Sequence, residues 1–149
     1  MKKFKFRYEQ LLKIRARKVD DLKNELGQLS YKLNSFEEQK RQQLGAQANY
    51  FDQINQVISQ GCSAQELIRL NNQKLYFNRI IEILENDIRD VKLQLMQVRD
   101  QLNEAVKEQK IMEKLKEKER ERYFEEIELA ETKITEEIVN YINYKGREE

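Results

Sequence analysis

Side chains able to do covalent chemistry are almost absent from this sequence. Cys62 is the only thiol, and no histidine accompanies it. A cysteine nucleophile needs a neighbouring base, usually histidine, so a Cys–His pair is ruled out. No glycine-rich phosphate loop follows a strand-like run, and no cysteine–histidine set has metal-ligand spacing. Carboxylates are abundant but scattered over stretches of helical character, with no pocket to gather them. An enzyme is therefore not expected, nor a cofactor. A lone Cys62 forms no internal disulfide and fits a reducing compartment, with its thiol exposed in a turn.

What the sequence does carry is a pattern for burial. Over Phe77 to Met112, one apolar column comprises Phe77, Leu84, Val91, Val98, Ala105 and Met112. A second comprises Ile81, Ile88, Leu95 and Leu102, and Gln109 is its first polar break. Steps alternating four and three residues form the heptad seam of a left-handed coiled coil. Such a helix cannot bury its stripe alone, so it requires a partner helix.

Composition agrees with long helices. The chain has 149 residues, 37% charged and 39% apolar, with four glycines and no proline. A core of ordinary globular shape calls for more apolar and turn residues. Disorder is the competing reading of such high charge, but the net charge is only +1 and the apolar residues are regularly spaced. No run approaches the roughly 18 apolar residues of a membrane span. The basic start Met1-Lys2-Lys3-Phe4-Lys5-Phe6 has no apolar stretch after it, so it does not read as a secretory signal. A cytoplasmic location is expected.

Taken in order, Phe4 and Phe6 alternate with Lys3, Lys5 and Arg7 in what reads as a frayed helix start or flexible arm. A first helix is predicted from about Tyr8 to about Ser59. Its seam is Tyr8, Leu12, Val19, Leu22, Leu26, Leu29, Leu33 and Phe36, with Arg15 in one slot. Beyond Phe36 the frame falls on Lys40 and Gln43, whereas the apolar residues are Leu44, Phe51, Ile54 and Ile58. That offset predicts a stutter, with a bend over Lys40 to Asn49 beside Gly45. The turn is 60–63: Gly61 suits a left-handed position after the helix, and Ser63-Ala64-Gln65-Glu66 reads as a capping box. A second helix is predicted from about Ala64 to about Asn143, its seam charged at Lys116 and Glu119, with a frayed tail at 146–149. The expectation is all-α: an antiparallel two-helix coiled-coil hairpin over 1–149, with a longer second helix.

In such a hairpin, residue i of the first helix lies opposite roughly residue 123 − i. The first helix then runs out near residue 120, and the stripe Tyr123, Ile127, Ala130, Ile134, Ile138 and Tyr141 is left without a partner in its own chain. An unpaired apolar stripe marks an interaction site. Phe4, Phe6 and Tyr8 lie at the same end, in reach of the same partner. Lys2, Lys3, Lys5, Arg7, Lys13, Arg15, Arg17 and Lys18 make the start basic, while Glu125, Glu126, Glu128, Glu131, Glu136 and Glu137 make the extension acidic. Without a domain-wide basic face, nucleic acid is not an expected partner.

The segment Phe4-Lys5-Phe6-Arg7-Tyr8-Glu9-Gln10-Leu11-Leu12-Lys13-Ile14-Arg15, and then Lys18-Val19-Asp20-Asp21, resembles the opening of the FliJ family. These are small coiled-coil components of the bacterial flagellar type III export apparatus. The turn Gly61 to Leu67, the segment Lys110 to Arg122, and Glu131 to Ile138 resemble the family in the same order, with Glu136 where the family tends to have aspartate. The resemblance implies a cytoplasmic hairpin similar to the central stalk of rotary ATPases. Its terminal end would engage the export ATPase FliI through Tyr123, Ile127, Ile134, Ile138, Tyr141, Phe4 and Phe6. Its middle and turn half would contact the export gate FlhA. The family's gate patch matches here at Gln39 and Tyr50, with changed or similar residues at Gln43, Leu70, Gln73, Phe77 and Ile81. The last two are seam residues and read first as core. Tyr50 beside Phe51 reads as a surface aromatic. The resemblance also implies binding and cycling of export chaperones, and a position at the cytoplasmic face of the membrane held through protein partners.

Two alternatives share the same residues. A homodimeric structural tether would use the extension for self-pairing. A stalk protein of a virulence type III secretion system differs too little in sequence to be separated from the flagellar reading.

Overall fold

In the computed structural model, residues 3–148 are described; Met1, Lys2 and Glu149, including the Lys2 of the basic start and the last residue of the tail, lie outside them. Two helices, α1 (Glu9–Gln60) and α2 (Ala64–Glu148), pack against each other, and the second is the longer. The contacts divide the chain into two compact units. A turn unit runs Asp21–Asn103, and a terminal unit joins the chain up to Asp20 with the stretch from Glu104 onward.

The turn unit follows from local chemistry. Gly61 has φ of 87°, a conformation glycine adopts without cost, and its N–H donates to the Ile58 carbonyl at 3.1 Å. Ser63 caps α2: its Oγ accepts from the Glu66 N–H at 3.2 Å, the N-cap half of a capping box. Away from the turn, Ile81, Leu84, Ile88, Val91, Leu95 and Val98 of α2 are buried, as the heptad columns require. Burying side chains of this size stabilises by about 1.5–3 kcal/mol each.

The stutter predicted in the first helix is corrected. The half-buried positions run Leu33, Phe36, Lys40, Gln43, Gln47, Tyr50, Ile54 and Val57, so the original frame continues in unbroken helix. Leu44 and Ile58, expected in the seam, are exposed. Polar residues fill core slots because α2 supplies partners. Lys40 pairs with Glu85 at 3.4 Å, and Gln47 donates to Asn78 Oδ1 at 2.7 Å. Tyr50 takes a seam slot too, its ring centroid 5.5 Å from that of Phe77 and its hydroxyl donating to the Leu70 carbonyl at 2.9 Å.

In the terminal unit, Val19, Ala105 and Met112 are buried. Arg15 forms an ion pair with Glu108, and Lys116 with Glu9 at 3.0 Å, so these two charged seam slots are partnered across the helices. The start of the chain is not a loose arm. Phe6 is 7% exposed and plugs the end of the seam, whereas Tyr8, assigned to that role by the heptad count, is the more exposed. The chain leaves helical geometry just before Glu9, whose N–H bonds the Phe6 carbonyl, and this aims Phe6 inward. At the other end, α2 continues through Gly146 to Glu148, beyond the predicted stop near Asn143.

Candidate partner-binding surfaces

From Glu128 onward every described residue of α2 is exposed. Ile134, Ile138 and Tyr141 are exposed at 57%, 54% and 60%. Leaving such side chains wet forgoes on the order of 1.5 kcal/mol or more each. Leu129, Val139, Ile142 and Tyr144 are also exposed. They lie off the heptad line, so a period filter passed over them, although their apolar character was readable. Ile142 and Tyr144 flank the stripe at about 80° to either side of Ile134, whereas Leu129 and Val139 lie on the opposite side of the helix.

The other residues expected to bind at this end are already engaged. Phe4 packs on Tyr123 with ring centroids 5.6 Å apart, Phe6 is buried, and Ile127 is half-buried. Around the Phe4–Tyr123 pair lies an open cavity of about 1000 Å³, lined also by Lys3, Lys5, Arg7, Glu119, Arg122 and Glu126. None of those four cations is in an ion pair among the described residues.

In the turn unit, Gln39 and Gln43 are brought together. With Phe36, Gln42, Ile80, Ile83, Leu84 and Asp87 they line a groove of about 320 Å³. Leu84 is the buried residue among them, and Ile80 and Ile83 are apolar wall residues that the heptad columns leave out. Nearby, the Glu38 carboxyl is held below its ordinary value by a hydrogen bond from Arg41. Gln73 is exposed, but Leu70 is half-buried and Tyr50 points into the hairpin. Tyr50 is thus the aromatic of its pair that the seam takes. Phe51, half-buried, lies under Lys74 with Nζ 5.5 Å from the ring centroid. Ile81 is buried and Phe77 half-buried, the core role read first for both.

The decisive likeness is that the family model for the flagellar FliJ protein matches residues 4–148. The chain belongs to the FliJ family. Neither the comparison with curated proteins nor that with solved structures returned a match. FliJ membership is that of a flagellar, export-related coiled-coil protein, and FliJ is not a known enzyme family. Among the described residues no cluster of histidine, cysteine and carboxylate could hold a metal ion. No described helix is long and apolar enough to cross a membrane.

Proposed function

We propose that this FliJ-family chain is a coupling component of flagellar type III export. Its terminal unit engages the export ATPase FliI through the exposed face of α2, centred on Ile134, Ile138 and Tyr141. Its turn unit contacts the export gate FlhA through the groove at Gln39 and Gln43, and the chain takes part in cycling export chaperones. It works in the cytoplasm, at the membrane's cytoplasmic face, held there by protein partners.

The observation that carries this reading is the wet apolar stripe between Glu128 and Glu148, which nothing among the described residues covers. Burial against another protein is the physical reason to keep such residues. The test is turnover and oligomerisation of purified export ATPase with and without this chain. Stimulation by the wild type, lost in Ile134→Glu with helicity and thermal midpoint unchanged, is the expected result. No effect of the wild type at micromolar concentrations of both proteins would overturn it.

A further inference from the structure

The exposed end of α2 carries a charge arrangement that a stripe for one foreign partner does not need. Ile127, half-buried at the edge of the exposed end, and the exposed Ile134 and Tyr141 recur at heptad spacing and form one column. The column beside it, at the same spacing, is Glu131, Ile138 and Lys145, an apolar centre with opposite charges at its two ends. All three are exposed, and the Lys145 ammonium lies 5.6 Å from the Tyr141 ring centroid, along the stripe rather than away from it.

Two copies pairing in parallel would set Glu131 against Glu131 and Lys145 against Lys145, like charges inside a seam. Antiparallel pairing does the reverse. Residue i of one copy then lies opposite about residue 272 − i of the other, which packs Ile138 on Ile134 and sets Lys145 against Ile127. Lys145 is then within one helical turn of Glu131 and Glu128 of the second copy, and symmetry repeats the contact. The same register delivers the second copy's Glu148 opposite Phe124, beside the unpaired cations Arg122, Lys3, Lys5 and Arg7.

We propose that the terminal segment of α2 pairs antiparallel with the same segment of a second copy of this chain, in a weak and salt-sensitive dimer. The overlap is a single pair of helices over Ile127 to Lys145, which places it among small, transient interfaces. That this pairing also masks the export-ATPase surface rests on the function proposed above; the pairing itself does not.

The experiment is sedimentation velocity of the full-length chain alone, from micromolar to sub-millimolar concentration, at low and high salt. The wild type is expected to shift toward dimer with concentration, less so in salt. Lys145→Glu leaves both ends of the column acidic and is expected to weaken association roughly tenfold, two symmetry-related contacts being lost together. Glu131→Lys combined with Lys145→Glu is expected to restore it. In a Cys62→Ser background, a bifunctional thiol reagent should join Ile127→Cys chains to Tyr144→Cys chains, and neither to itself. A monomer at every concentration, association indifferent to the charge variants, or Ile127→Cys chains joining each other would each overturn the proposal. No ATPase is present, so that failure leaves the export reading standing, and loss of ATPase stimulation leaves the pairing standing.

Discussion

Arg15 occupies a seam slot that the heptad pattern reserves for an apolar side chain, and the structure gives it Glu108 across the interface. Its Nε is nevertheless buried without a hydrogen-bond partner. A partly buried ion pair returns little net stability, because desolvation offsets much of the attraction. Arg15→Leu, facing a seam that contains Leu12, Val19 and Met112, is therefore expected to stabilise the chain by about 1 kcal/mol in urea unfolding. Glu108→Ala, which strands the guanidinium, should destabilise by about as much. A loss of stability in the leucine variant would show that the pair contributes more than packing could. The polar occupant was legible as a break in the apolar columns. Its partner was legible too, since the predicted register places residue 108 opposite. Phe6 was not, because a heptad count cannot tell where the chain stops being helical.

Among elements, the turn-side half of the hairpin is built differently from the part next to it. In α1 the slots Lys40, Gln43 and Gln47 are polar, and within the turn unit the buried α2 residues begin only at Ile81. Few buried apolar contacts mean local opening at lower free energy. Native-state hydrogen exchange is expected to show amides of residues 44–78 exchanging well before those of 84–98, and equal protection would contradict this. The turn itself was read correctly because glycine and the capping serine announce it. The expected stutter does not form, because apolar residue type alone does not decide which residues take the slots. Glu85 and Asn78 make Lys40 and Gln47 acceptable in the frame, and that information lies in the opposite helix.

At the level of the whole molecule, the residues that pack the helices together and the exposed apolar stripe at the end of α2 are different residues. Among the described residues nothing covers the segment from Glu128 to Glu148, so truncation after Ile127 is expected to leave the free energy of unfolding within about 0.5 kcal/mol of wild type. The same truncation should abolish stimulation of the export ATPase. A large drop in stability would mean the segment is structural. Composition and period made the two-helix fold readable from end to end. Of the candidate surfaces, Ile134, Ile138 and Tyr141 were readable as unpaired seam, whereas the groove lined by Gln39, Gln43, Ile80 and Ile83 depends on both helices at once.

The last turns of α2 have one further property. A helix of this length with no tertiary support lies near the midpoint of its helix–coil equilibrium and interconverts on about the microsecond timescale. Whatever captures it therefore completes its folding, and part of the contact energy goes into ordering the backbone. Fast release of a captured partner is a natural outcome of such an arrangement.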